Sequence, residues 1–264
     1  ADIHGCFSHV VDLKIFQLKR NGFQMEIGVE GIIKEEGTEV VLTGSGTTHI
    51  TSSISAVSFE NMDTYYKPGL PLSGELKLVD GRRKPIANKT IELQISGVQN
   101  NSYYKTDDEG QAHFSIETSG FTSDSIQLTA TYEKVANCYD SNWISPQHQT
   151  GYFTASRFHS PSQSYLNIQA LPGTLKCGQH VAIPVHYILN SEVIKDKEVV
   201  FHYLVVSRGD IVKSGTHQLK ENNNKGTINL DFLMDITFAP LTRLLVYTIL
   251  DNGELVAHSA DFPV

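Results

Sequence analysis

The chain is poor in cysteine, tryptophan and methionine, with three, one and three of them in 264 residues. Cys6, Cys138 and Cys177 lie far apart and form no CxxC pair, which excludes the usual zinc-ribbon and dithiol redox patterns. Positive charge is also scarce. Lys plus Arg number 21 against 29 Asp plus Glu, a net charge of −8. Nucleic-acid binding needs a basic face that neutralises phosphates. The only basic clusters, Lys19-Arg20 and Arg82-Arg83-Lys84, are too small for that, so no nucleic-acid partner is expected. Long apolar runs are missing too. The stretches 199–206 and 244–250 have strand length and are interrupted by His202 and Tyr247. A membrane helix needs roughly 20 apolar residues, so no membrane partner is expected. The start, Ala1-Asp2-Ile3-His4, has neither an initiator Met nor the pattern of a signal peptide, and the chain is expected to be cut at both ends.

What is present is strand grammar. Apolar residues make up 40% of the chain and charged residues 19%, enough to bury cores. Apolar and polar residues alternate in 23–32, 76–78, 90–95, 113–116 and 126–132, whereas helical spacing is sustained nowhere. A period of two suits a half-buried strand, because successive side chains point to opposite faces. Asn, Asp, Gly and Pro punctuate the chain at Lys67-Pro68-Gly69, Asp80-Gly81, Glu109-Gly110 and Asn252-Gly253. Short alternating strands between such turns predict an all-β chain of tandem antiparallel β-sandwich domains of the fibronectin or Ig-like kind.

A weak internal repeat supports that division. The segment opening at Pro68 and the one opening at Cys177 each run from Gly through an apolar strand to Asp or Asn. A second apolar strand follows late in each unit, at 126–132 and 244–250. The spacing is about one sandwich of 100 residues. Ser160-Pro161-Ser162 reads as an interdomain linker. The predicted units are 1–62, 63–160 and 161–264. The first holds too few strands to close a sandwich of about seven, so it is expected to pair with chain that precedes it.

Candidate chemistry is thin. His180, His186 and His202 share one unit but lack the tight spacing of a zinc site. Asp107-Asp108-Glu109-Gly110 lacks the alternating carboxylates of a calcium loop and reads as a hairpin turn. GxSxG, HExxH, GxGxxG and P-loop patterns are absent, and Gly44-Ser45-Gly46 has no strand-to-helix context. No catalytic, cofactor-binding or metal residue is therefore expected, and no enzyme activity. Trp143, beside Cys138, suits either a packed aromatic or an exposed subunit contact. Asn88-Lys89-Thr90 and Asn100-Asn101-Ser102 are glycosylation sequons. The cysteines fit two readings: three buried thiols, or a secreted chain whose cysteines pair outside it.

Collinear pieces along nearly the whole chain resemble the α2-macroglobulin family of protease traps. They include Gly5-Cys6-Phe7, the stretch from Phe59 to Leu93, Asp108 to Ile116, Phe158-His159-Ser160-Pro161-Ser162, Cys177-Gly178, Phe201-His202-Tyr203-Leu204, and Asp251-Asn252-Gly253-Glu254. The resemblance implies the end of a third macroglobulin domain (1–62), then a fourth (63–160) and a fifth (161–264). It implies a secreted, extracellular, broad-spectrum inhibitor whose partners are endopeptidases and further subunits of the same protein. No bait segment or receptor-binding domain is identifiable here, and the thioester motif Gly-Cys-Gly-Glu-Gln is absent, so this stretch would be scaffold. By the same resemblance Cys6 and Cys177 bond to cysteines outside the chain and Cys138 bridges subunits. Asn100 lies near a position that carries a glycan in relatives. The rival reading is a stand-alone Ig-like adhesion or binding module. Whole domains with self-contained disulfides would favour it.

Overall fold

Alternation along the chain becomes alternation of burial. In the strand Ser125–Thr131, Ile126, Leu128 and Ala130 are buried while Ser125 and Gln127 are exposed. That follows from the pleat, which sends neighbouring side chains to opposite sheet faces. The computed structural model describes residues 5–22, 24–134, 144–194, 198–219 and 223–264. Strand is the dominant regular structure among the described residues, as the periodicity predicts. Helical structure among them is limited to a 3-10 turn at Leu13–Phe16 and one α-turn, α1, at Ser191–Ile194.

The first unit is a lone hairpin of β1 (Glu26–Lys34) and β2 (Val41–His49) in unbroken antiparallel register. Ile27, Val29, Ile33 and Leu42 share one face of it. Val29, Ile33 and Leu42 are each about two-thirds exposed, at 64%, 67% and 67%. Two strands cannot bury both faces, and nothing among the described residues covers this one.

The second unit is a sandwich of β3 (Ser53–Glu60), β4 (Tyr65–Tyr66), β5 (Leu72–Asp80), β6 (Thr90–Ile95), β7 (Ser102–Lys105), β8 (Gln111–Ile116), β9 (Ser125–Thr131), β10 (Gln147–Gln149) and β11 (Gly151–Arg157). One sheet runs β10-β3-β5-β8 and the other β4-β11-β9-β6-β7. Between them lie Leu76, Leu78, Ile91, Leu93, Phe114, Leu128 and their neighbours. The third unit contains β12 (Tyr165–Ile168), β13 (His180–Ile188), β14 (Val200–Ser207), β15 (Asp210–Gln218), β16 (Lys225–Leu233), β17 (Leu241–Ile249) and β18 (Leu255–Pro263). Its sheets run β12-β13-β16 and β15-β14-β17-β18 around Val185, Phe201, Leu230, Leu244 and Val246. Without the short β4 and β10, the two sandwiches have one topology: β3-β5-β8 corresponds to β12-β13-β16, and β11-β9-β6-β7 to β18-β17-β14-β15. The repeat in the sequence is this correspondence, with β5 matching β13 and β9 matching β17.

Two local expectations change. The boundary drawn at 62/63 assigns β3 to the first unit, yet β3 pairs with β5 from Ser55↔Asp80 to Glu60↔Glu75, and Val57 is in the second core. A sheet cannot be closed without its third strand, so β3 goes with the second sandwich. Asp107-Asp108-Glu109-Gly110 is a tight turn but not a hairpin, because β7 and β8 belong to opposite sheets. The Asp107 carboxylate accepts from the amides of Glu109 (2.9 Å) and Gln111 (2.8 Å), and Gly110 sits at φ 70°. Asp80 does the same for Arg82 and Lys84, both at 2.8 Å, with Arg83 at φ 64°. Each aspartate closes its own loop, so the turn chemistry is local while strand partnership is not.

Candidate functional site at the junction of the sandwiches

The richest concentration of buried polar groups lies where the second sandwich meets the third. It starts at Lys67-Pro68-Gly69, a tight turn in which the Leu70 amide donates to the Lys67 carbonyl (3.0 Å) and Gly69 takes φ 83°. Proline fixes the first corner and glycine supplies the left-handed second one. A Cβ on Gly69 would come within 2.8 Å of Ile188 Cδ1, in the third sandwich, so glycine also permits the close approach. The Thr118 hydroxyl, fully buried, faces the carbonyls of Lys67 (2.8 Å) and Leu70 (2.6 Å) and fastens the turn from beneath.

The turn aims Lys67 into the junction. Only 7% of the residue is exposed, and Nζ donates to the Leu166 carbonyl on β12 at 2.6 Å. The same ammonium lies 5.7 Å from the Phe158 ring centroid. Burial disfavours its charged form and pushes the pKa down to about 8, against the pull of Asp63. Beside it, the Asn167 side-chain amide donates to the Pro71 carbonyl (3.0 Å). Asp63 Oδ2 lies 3.3 Å from His258 Nε2, on β18. Partial burial opposes ionisation of Asp63, but the His258 hydrogen bond, then the charges of His258 and Lys67, hold its carboxyl below the usual range. The Tyr65, Phe158 and Tyr165 rings continue the seam in successive edge-to-face contacts.

Ser160, Ser162 and Ser164 of the linker are themselves buried, while Pro161 and Gln163 between them are exposed. Glu254 takes it in a two-pronged grip. Oε1 accepts the Ser160 hydroxyl (2.7 Å) and Oε2 accepts the Ser162 amide (3.1 Å). Asn190 closes the other side, donating to the Ser162 carbonyl (3.0 Å) and taking the Ser164 hydroxyl against its own amide (3.0 Å). Partial burial opposes ionisation of Glu254, but the bonds from Ser160, Ser162 and Asn252 keep its carboxyl below the usual range. In sequence, this polar, proline-containing segment marks only a boundary between domains. Here its hydroxyls are the hydrogen-bonding elements of a fixed joint. A cleft of about 790 Å³ opens beside the seam, walled by Glu75 and Asp63 on one side and by Arg243, His258 and Asp261 on the other. Arg243 and Asp261 meet through two bonds of 2.7 and 2.8 Å.

One further cluster has the appearance of a catalytic relay. Ser55 Oγ lies 2.7 Å from His148 Nδ1, and His148 Nε2 lies 3.3 Å from Glu133. Ser55 is 1% exposed within β3, out of reach of any substrate. The trio ties β10 to β3 and is a strand fastening.

The residues singled out in the sequence are scattered. Cys6 and Cys177 are exposed, at the start of the first unit and in the turn before β13. Cys138 and Trp143 lie outside the described residues. Asn88 and Asn100 are exposed at opposite ends of β6. His180, His186 and His202 do not converge; His186 bonds to Thr227 and Gln169, and His202 stacks on Tyr247. No metal-ligand cluster occurs among the described residues. Sequence reasoning missed Asp63, Lys67, Glu254 and His258 as a group. The one usable signal was Lys67-Pro68-Gly69, whose turn fixes where the lysine points.

Comparison with known proteins bears on the whole chain. A family model described as macroglobulin domain MG4 matches residues 57–152. A second, described as the alpha-2-macroglobulin bait region domain, matches residues 166–264. "Alpha-2-macroglobulin-like protein 1" of Mus musculus is 37% identical over 254 residues, covering 96% of this chain and 17% of the relative. "Ovostatin" of Gallus gallus is 34% identical over 267 residues, covering 100% of this chain and 18% of the relative. The chain thus spans less than a fifth of the length of these relatives. Among solved structures, Escherichia coli alpha-2-macroglobulin activated by porcine elastase overlaps 80% of this chain and 20% of its own, with a TM-score of 0.32 at 13% identity. A tetra-tandem repeat of a large adhesion protein overlaps 90% of this chain and 56% of its own, at 0.28 and 12%. At these scores neither overlap defines a shared arrangement.

Proposed function

The chain belongs to the α2-macroglobulin family, and on that premise we propose that it is a stiff strut in the scaffold of a secreted protease inhibitor. The observation that carries this reading is the junction. Lys67, Asn167, Asp63–His258 and Glu254 all bond across it or along its linker. Bonds distributed along one seam hold an angle, which a trap needs if one cut in the bait is to move distant parts together. Endopeptidases are the partners of the whole inhibitor. This stretch supplies spacing and orientation and performs no catalysis.

The units of this strut are a hairpin, a sandwich entered through β3, and a second sandwich from Tyr165 onward. The first is the end of a third macroglobulin domain, and the other two are the fourth and fifth. Residues 166–264 match a family model described as the alpha-2-macroglobulin bait region domain; on this reading the cleaved bait segment itself is outside that stretch. Supporting this, most of the described residues there lie in paired strands, whereas protease cleavage needs an extended, accessible segment. Secretion is supported by the exposure of Asn88 and Asn100, which leaves room for glycans, and by the exposed Cys6 and Cys177. Those two thiols bond to cysteines outside the chain, and Cys138 bridges to another subunit.

The test is a titration of the 264-residue chain against endopeptidases of different specificity, with peptide mapping of the products. The expected result is no stoichiometric inhibition and no shared cleavage within 166–264. Rapid cutting there by several unrelated proteases would place the bait inside the chain and overturn the scaffold reading. In the parent protein, Cys138→Ser is expected to release covalently linked subunits on a non-reducing gel.

A further inference from the structure

We propose that His258 is a proton-operated latch on the strand that carries the sandwich junction. The argument rests on which partners each nitrogen has. His258 Nδ1 accepts the Ile168 backbone amide at 2.9 Å, and Nε2 faces Asp63 Oδ2 at 3.3 Å. A backbone N–H can only donate, so Nδ1 must be bare and the proton of the neutral ring must sit on Nε2. That tautomer satisfies both contacts at once.

A second proton can enter only at Nδ1. It turns the ring into a donor at both nitrogens and sets N–H against N–H at Ile168. Asp63 remains a good partner for the imidazolium, so acid breaks the bond within the third sandwich and keeps the one across the junction. The partners of two other histidines are of a different kind. His186 faces a hydroxyl and a side-chain amide, and His148 faces a hydroxyl and a carboxylate. Hydroxyls can reverse their role; the Ile168 amide cannot.

The position makes the latch consequential. Ile168 is 3% exposed on β12, and this amide is on the side of the strand away from β13. The same short strand offers the Leu166 carbonyl to Lys67 and the Asn167 amide to Pro71. Losing the Ile168 bond loosens the strand on which those two grips are mounted. The charged groups around the ring are Asp63 and, behind it, Lys67; along the cleft, the mutually paired Arg243 and Asp261; and across it Glu75, which is met by His113. Asp63 is the one in direct contact.

Amide hydrogen exchange across about pH 7.5 to 5.5, the interval in which imidazoles change charge, tests this. The Gln169 amide, which donates to the Pro184 carbonyl, is the internal reference and cancels the intrinsic pH dependence of exchange. Protection of Ile168 relative to Gln169 is expected to fall tenfold or more on acidification. In His258→Asn the side-chain oxygen can replace Nδ1 as acceptor but cannot take up a proton, so the ratio is expected to stay flat. In Asp63→Asn the fall is expected at lower pH. A flat ratio in the wild-type chain overturns the proposal, and so does an equal fall in His258→Asn. If that variant does not fold, the wild-type titration and the Asp63→Asn shift decide between the same two outcomes.

Discussion

The second and third sandwiches share a topology and an inward pattern but differ on one outer face. In the second, the outward positions of the larger sheet are Thr90, Glu92 and Gln94 on β6, Gln127, Thr129 and Thr131 on β9. At the corresponding outward positions the third has His202, Leu204 and Val206 on β14, Leu245, Tyr247 and Ile249 on β17. The inward positions are apolar in both: Ile91, Leu93, Ile126 and Leu128 against Phe201, Val205, Leu244 and Val246. The difference separates two constraints. The fold dictates the inner face, because a sandwich exists only by burying it. The outer face answers to the surroundings of each unit and is free to diverge once the core is satisfied.

The sharpest way to break this comparison is through the cores. Leu128→Ala and Leu244→Ala remove buried side chains from the equivalent central strands β9 and β17, exposed to 0% and 1%. Each is expected to lower stability by about 3–5 kcal/mol. Because the junction joins the sandwiches, either substitution should shift one common urea transition. Two separable transitions, each sensitive to only one substitution, would show that the seam does not couple them.

Next in size is Lys67. Its ammonium has a folded pKa of about 8 and an ordinary unfolded value near 10.5. Between those values the unfolded chain binds the extra proton and the folded one does not, so stability should rise with pH across that window. The rise is on the order of 3 kcal/mol, from about 1.4 kcal/mol per pKa unit. Lys67→Met should abolish it in urea titrations between pH 8 and 10.5. A slope that survives the substitution would assign it to other groups.

Glu254→Ala removes the grip of the third sandwich on the linker. It is expected to cost about 1–3 kcal/mol, the usual range for bonds to a charged acceptor. Since the carboxyl is held below its ordinary value, this contribution is present above about pH 4.5 and is lost as pH falls through the lowered value. The variant should therefore lose part of the acid sensitivity of the wild-type melting temperature.

The smallest effect is expected at one of two matching loops within the second sandwich. Gly110 and Arg83 both take positive φ three residues after the aspartate that closes each loop. A Cβ on Gly110 would lie 2.6 Å from the Leu78 carbonyl, so Gly110→Ala is expected to destabilise by about 1–3 kcal/mol. Arg83→Gly relieves the same backbone conformation and is expected to stabilise by about 0.5–1 kcal/mol. Equal and opposite small shifts at the two sites would mean that backbone strain, and not the carbonyl clash, dominates at Gly110.

Much of the architecture is legible in the sequence alone. Strand identity was readable because the two-residue period of the pleat writes burial directly into the sequence, as in 125–131. Repetition was readable because β5 and β13, and β9 and β17, occupy equivalent places and carry similar patterns. The turns at Asp80 and Asp107 were readable because each aspartate bonds only to amides within the next four residues. Membership of β3 was not readable, since its alternation is the same whichever sheet it joins. Nor was the crossing at Glu109-Gly110, where a local turn looks alike whether it joins two strands of one sheet or passes between two sheets.

By itself the sequence determined an all-β chain with two repeated sandwich units and a resemblance that family comparison bears out. These are properties of neighbours a few residues apart, or of order along the chain. Only the tertiary structure decided that the linker serines are buried, that Lys67 reaches Leu166, and that His258 stands between Asp63 and Ile168. Those groups come from distant parts of the chain and have no spacing to read. They meet because two sandwiches dock at one angle, and that angle is set by the packed seam and not by any local pattern.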